Sequence, residues 1–166
     1  MNIKRFDNQL FNQLAQDAQN SPRQRANANV HQDLNDNIQR LFISMTPQSY
    51  VRPHRHSNPA KWEFFLMVSG KVSFLLFDDD GVLLERIELD ADSTNNNKGL
   101  ELPAHCWHSI IAQSENATFL EVKQGPYQPL AAQDFASWAP AEGDQEVTEF
   151  MQQLNQLSAG QRVNYV

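Results

Sequence analysis

The spacing of apolar residues divides the chain into a helical start, a long middle of short strands and a helical end. Residues 7–19, DNQLFNQLAQDAQ, carry Leu10, Phe11, Leu14 and Ala18 at helical spacing, with Asp7 placed to cap the first turn. Asn20-Ser21-Pro22 ends that helix, because the residue before a proline is pushed out of the helical region. The next stretch, SPRQRANANVHQDLNDNIQ, is polar and rich in asparagine, and reads as an ordered loop with short turns. From Arg40 the runs become short and apolar: RLFISM, YVRPHRH, WEFFLMVSG, KVSFLLFDDDG, VLLERIEL, LELPAHC, WHSIIAQ and ATFLEVKQG predict seven or eight strands. Turn residues separate them at Ser69-Gly70, at Asp79-Asp80-Gly81 and along residues 92–99, and FDDDGVLL reads as a hairpin. The segment DQEVTEFMQQLNQL, from Asp144, returns to helical spacing through Val147, Phe150, Met151, Leu154 and Leu157.

Many short strands with no helix between them predict an all-β barrel or sandwich of antiparallel sheets. The expected organisation is one domain: residues 1–39 as an N-terminal helix and loop packed on the barrel, 40–145 as the barrel, and 146–166 as a C-terminal helix and tail. Both parities of WEFFLMVSG and VSFLLF are apolar, so the outer sheet faces need cover as well as the inner ones. The terminal helices or a homodimer would provide it.

Composition narrows the function. The formal net charge is -7 over 166 residues, so no general basic field exists to hold nucleic acid or an anionic membrane. Cys106 is the only cysteine, which rules out an internal disulfide and fits a reducing cytoplasm. The start, MNIKRFDNQLFNQLAQ, lacks the apolar core of a secretory signal, and no run approaches the roughly 20 apolar residues of a membrane span. A cytoplasmic location is the expectation.

The stretch PHRHSNPAKWE carries the chemistry. His54 and His56 lie two residues apart, a spacing that on a helix points side chains about 200° apart. On a strand the same spacing puts both on one face, roughly 6.5 to 7 Å apart, near enough to share an ion. Tyr50 and Arg52 have the same parity, Glu63 opens the next strand, and His108 lies in a later one. Three imidazoles and a carboxylate form a ligand set for one divalent transition metal ion, with Zn, Fe, Ni, Mn and Co all open.

The order H-x-H, E-x6-G and P-x4-H resembles the two motifs of the cupin superfamily, in which three histidines and a glutamate meet inside a small barrel. Two positions depart from it. Six residues separate His56 from Glu63 where the motif has three or four, and His105 stands where a glycine is expected. A narrower resemblance covers about residues 20–145. SPRQRANANVHQ, IQRLF, SYVRPHRH, KWEFFLMVSGKVSFLLFDDDG, LELPAHCWHS, FLEVKQGPYQP and DFASWAPAEG look like the WbuC family of cupin-fold metalloproteins. That resemblance implies a cupin barrel (double-stranded β-helix, or jelly roll) with a bound metal. It also implies a bacterial origin and genes among those for surface polysaccharides.

Basic residues cluster around the metal motif, and arginine's planar fork suits carboxylate or phosphate. Arg52 and Lys61 share the ligands' side by strand parity. Arg23, Arg25, Asn29, His31 and Arg40 are further candidates for substrate binding, the first four if the N-terminal loop folds over the barrel mouth. Lys61 and Tyr50 are the candidates for moving a proton. Glu121 and Lys123 alternate with Leu120 and Val122, so their side faces either the cavity or water. The expected function is a metal-dependent enzyme acting on a small anionic metabolite, such as a sugar or nucleotide-sugar. Isomerase, epimerase, oxygenase and hydrolase all stay open. The alternative is a non-catalytic binding or sensing cupin with a structural metal.

Overall fold

Eight strands and two α-helices form from these runs in a computed structural model that describes Met1 and residues 3–163. In chain order they are α1 (Asn8–Asn20), β1 (Arg25–Asn29), β2 (Ile38–Met45), β3 (Glu63–Ser69), β4 (Lys71–Phe77), β5 (Leu83–Asp90), β6 (Gly99–Leu102), β7 (Trp107–Ala112), β8 (Ala117–Gln124) and α2 (Val147–Gln156). A five-stranded sheet of order β1-β2-β8-β3-β6 faces a three-stranded sheet of order β5-β4-β7, with every pairing antiparallel. This is the all-β cupin jelly-roll barrel expected from the sequence, flanked by a helix at each end. No described helix is long and apolar enough to cross a membrane.

The two helices form where the apolar spacing predicts them. Asp7 caps α1 by accepting a hydrogen bond from the Leu10 N–H at 3.0 Å. Phe11 and Phe6 both set their rings 5.0 Å from that of Phe42, which seats α1 on the outer face of β2. The asparagine-rich stretch differs from expectation, because residues 25–29 form β1 and pair with β2. Small and polar residues hide that strand, since the apolar positions of RANAN are only the small side chains of Ala26 and Ala28. The N-terminal segment thus completes one edge of the barrel wall. Residues 164–166, the end of the expected tail, lie outside the described residues.

YVRPHRH also departs from the reading. It is not a strand; its one ladder position is His54, bridged to His108 and to Phe135. Pro53 lacks the N–H a regular ladder needs, and short backbone bonds hold the segment instead. LELPAHC stops being strand at Leu102 and turns through residues 103–106.

The barrel interior grades from apolar to polar along its strands. On β8 the inward positions run Ala117, Phe119, Glu121, Lys123; on β2 they run Met45, Ile43, Leu41, Gln39 in the opposite direction. The apolar end packs Phe65, Phe74, Leu89, Ile110 and Phe119 into one cluster. The polar end opens into a cavity. A second cluster lies on the outer face of the three-stranded sheet, where Leu75, Phe77, Trp107 and Ile111 meet Phe150, Leu154 and Leu157 of the C-terminal helix and its cap. Arg86 on β5 donates to the carbonyls of Leu154 at 2.6 Å and Leu157 at 3.2 Å, closing that helix end. On the other sheet, Leu66 and Val68 of β3 remain 41% and 36% exposed.

Phe74 has no exposed surface and packs 4.7 Å from the ring of Phe65. Phe74→Ala should therefore remove about 3–5 kcal/mol of stability, read as a lower midpoint in urea denaturation followed by circular dichroism.

Candidate metal centre

Four side chains converge at the boundary between the apolar and polar ends. One ligand atom from each of His54, His56, Glu63 and His108 lies within 4.8 Å of all the others. Two arrive from strands and two from the loop before β3. Glu63 is the first residue of β3, paired with Leu102 on one side and Lys123 on the other. His108 faces inward from β7 opposite Leu76. The loop carrying His54 is clamped to β7 by two bonds, His54 N–H to His108 O at 3.0 Å and His108 N–H to His54 O at 2.9 Å. Across its other side, the N–H groups of Arg55 and Ala136 bond to Asp134 O and Pro53 O, each at 2.9 Å. The His105 N–H donates to His56 O at 3.1 Å and fixes the second histidine.

The two departures from the motif have local explanations. The extra length between His56 and Glu63 is taken up by a turn closed by a bridge between Ser57 and Ala60, so the carboxylate still reaches the cluster. His105 adopts φ 70°, the left-handed conformation glycine favours, and its exposed side chain points clear of the core.

Hydrogen bonds orient the rings. The Nδ1 of His54 donates to Arg52 O at 2.9 Å and that of His108 to Cys106 O at 3.0 Å. A carbonyl only accepts, so both rings carry their proton on Nδ1 and turn Nε2 inward, the orientation a metal-binding imidazole needs. Glu63, 3% exposed, places its two oxygens 3.1 Å from His56 Nε2 and 3.2 Å from His108 Nε2. Among the buried side-chain atoms with no hydrogen-bond partner are His56 Nε2 and Glu63 Oε2. Buried polar atoms left unsatisfied are costly, and two of them aimed at one point fit an ion that takes both. The donor set suits a divalent transition metal.

Charge states agree with that assignment. Burial pushes His54 down to about 3, helped by the nearby His108 charge, so this imidazole stays neutral and available as a ligand. Burial alone would raise Glu63, yet the His108 and His56 imidazoles beside it hold it well below the ordinary carboxylate range. Burial would lower His108, but the Glu63 carboxylate beside it carries it upward.

The cluster lies in the wall of a cavity of about 580 Å³. Lys61 and Arg52 line it, as do Arg23 and Arg25. Lys61 is 7% exposed and donates to Pro126 O at 2.5 Å. Its pKa is lowered by burial first and by Lys123 second. The guanidinium of Arg52 donates to Ala136 O at 2.8 Å and lies over the Phe135 ring, while its buried Nε has no partner.

Four other expected site residues are elsewhere. Tyr50 is buried in the outer cluster, its hydroxyl donating to Pro140 O at 2.8 Å, because the irregular backbone of its segment breaks the alternation used to place it. Arg40 is exposed on the outward side of β2, one residue out of phase with Gln39, which does line the cavity. His31 is buried against the backbone of Arg40, its Nδ1 within 3.0 Å of that N–H. Asn29 is exposed on β1 and accepts from Asn27 at 2.8 Å.

Glu121, Lys123, Asp134 and Glu142 also line the cavity. The polar phase of LEVK marks the first two. Lys123 sits 2.5 Å from Glu121 and 3.5 Å from Glu63; burial would lower its pKa, but Glu121 and then Glu63 raise it. Asp134 ends a single 3-10 turn, Ala132–Asp134, and Glu142 lies in another short turn, both after β8, where no periodicity points inward.

The family described as a domain of unknown function (DUF6016) matches residues 6–89. No curated protein matches. Among solved structures, TT1209 from Thermus thermophilus is 18% identical, over 75% of this chain and 97% of that one, with a TM-score of 0.52, a likeness of fold alone. A cupin superfamily protein, DSY2733 from Desulfitobacterium hafniense DCB-2, is 17% identical over 60% of this chain and 76% of its own, at a TM-score of 0.46. KdgF from Halomonas sp. is 14% identical over 63% and 80%, at 0.47.

Two outcomes are expected of the metal centre. Elemental analysis of protein purified without chelator should find one divalent transition ion per chain, and Glu63→Gln should weaken metal binding by at least about tenfold. Metal affinity, followed by calorimetric titration, should fall as pH drops through the raised His108 pKa, since its proton competes with the ion. His54, neutral down to about pH 3, should add nothing to that fall between pH 5 and 8.

Proposed function

The chain belongs to the DUF6016 family, and because that description carries no reaction, we propose from the cavity itself that this metal-binding cupin acts on a small anionic metabolite. One observation carries the reading. Arg52 and Lys61 line the cavity beside the metal cluster, and among the described residues neither has a carboxylate partner. A buried or half-buried cation bonded only to a carbonyl is poorly compensated, and an anion entering the cavity would complete it.

The favoured substrate class is a sugar or nucleotide-sugar of bacterial surface-polysaccharide synthesis. The support for it is the resemblance to the WbuC family in segments outside the metal motif. When bound, the ion would supply a Lewis acid for a carbonyl or hydroxyl oxygen. Arg52 would hold the anion against the Phe135 face. Lys61, its pKa lowered by burial, would give or take a proton. The second reading, a binding or sensing cupin without turnover, is favoured by the position of Tyr50, which leaves Lys61 as the single proton carrier of the expected pair.

The test is a titration of metal-loaded protein with a panel of sugar phosphates and nucleotide-sugars, followed by product analysis. Binding should be detected, and Arg52→Gln should weaken it at least about tenfold. Ligand recovered unchanged after long incubation selects the binding reading; affinity unaltered by Arg52→Gln and by Lys61→Gln discards the anion site altogether.

A further inference from the structure

A second charged cluster lines the same cavity. Arg23 grips the carboxylate of Glu142 with both prongs of its fork, Nε to Oε2 and Nη2 to Oε1, each at 2.8 Å. Arg25 also donates to Glu142 Oε1. Its other prong is tied down, donating to Tyr50 O at 2.7 Å and to Ser49 Oγ at 3.2 Å. Arg25 is thus fixed in place, its side chain 15% exposed, while Arg23 reaches in from solvent with 61% exposed.

Three features set this cluster apart from an ordinary surface ion pair. One carboxylate faces two guanidiniums, which leaves a positive charge over. Three N–H groups share two oxygens, and Oε1 accepts from both arginines. Glu142, finally, has no other side-chain bond among the described residues. Its turn is closed without it, by Ala141 N–H to Asp144 Oδ2 at 2.8 Å and Asp144 N–H to Ala141 O at 3.2 Å. Gly143 takes up the left-handed φ of +93° with open space around it. Swinging Glu142 away would break only its bonds to the two arginines.

Resting on the reading of this cavity as an anion site, we propose that Arg23 and Arg25 form a separate subsite for a phosphoryl group, and that Glu142 is its built-in substitute, displaced when the ligand binds. A phosphoryl group fits better than a carboxylate. Its three terminal oxygens match three N–H donors, and its second negative charge cancels the one Glu142 leaves uncompensated. A ligand carboxylate would only exchange one monoanion for another.

Calorimetric titration of the metal-loaded protein with inorganic phosphate, pyrophosphate and acetate provides the test. Glu142→Gln removes the competing charge while keeping the shape. It should tighten phosphate or pyrophosphate by about tenfold or more, acetate by much less, and the gain should disappear when Arg23→Gln is added. Equal gains for acetate, a gain that survives Arg23→Gln, or no detectable phosphate binding by the Glu142→Gln protein would each overturn the proposal. Arg52→Gln separates the two readings. If it abolishes phosphate binding while Glu142→Gln changes nothing, the subsite is wrong and the anion cavity stands. If Glu142→Gln tightens binding as expected and Arg52→Gln has no effect, the subsite stands and the role given to Arg52 fails.

Discussion

Folding carries the Glu63 carboxylate out of water and sets it among three imidazoles, and much of the architecture compensates that one buried charge. An isolated ion in such a place would cost several kcal/mol. Here it is met by His56 and His108 at hydrogen-bond distance and by Lys123 from the neighbouring strand. The backbone carbonyls of Arg52 and Cys106 then hold two rings in the required tautomer. Compensation of this kind needs strands that begin apolar at one end of the barrel and finish polar at the other. β2 and β8 do so in opposite directions because they are antiparallel, which concentrates the polar residues at a single mouth.

That concentration explains how an acidic protein can hold a site for anions. The net charge of -7 describes the whole surface, whereas Arg23, Arg25, Arg52 and Lys61 are gathered around one concavity. Low-dielectric walls strengthen their field there, and the metal would add to it. The cations are also held in different ways. Arg25 and Arg52 are anchored through backbone carbonyls, while the Arg23 guanidinium is bonded, among the described residues, to Glu142. Rigid and movable donors in one cavity give a ligand both a fixed reference and an entry.

The metal ligands were legible because their chemistry is rare and their spacing restrictive. Four residue types had to recur in one order, and no packing requirement would produce that pattern. The helices were equally plain, each marked by an apolar stripe and one of them by Asp7 as a cap. Strand β1 was not legible, since the apolar phase of RANAN consists of two alanines and its pairing with β2 is a matter of tertiary context. Tyr50 and Arg40 show the limit of parity. Alternation holds only while the backbone stays extended, and the Tyr50 segment is irregular. For Arg40 the strand is regular, but the inward phase belongs to Gln39, which polarity alone would not single out. Asp134 and Glu142 reach the cavity from short turns, where nothing in the local pattern predicts direction.

Trp107 and His108 are neighbours in the chain and point to opposite sides of one strand, the indole into the layer beneath α2 and the imidazole into the metal cluster. The guanidinium of Arg55, set between His54 and His56, rests 4.4 Å above that same indole. Three of the candidate ligands are therefore referenced to a single aromatic plate, which donates from its Nε1 to Asp79 at 2.8 Å and packs in the cluster that includes Phe150, Leu154 and Leu157 of the C-terminal layer. Drift in the sequence of that layer would reach the ion as a change in ligand aim, so selection on metal chemistry extends to residues that never approach it.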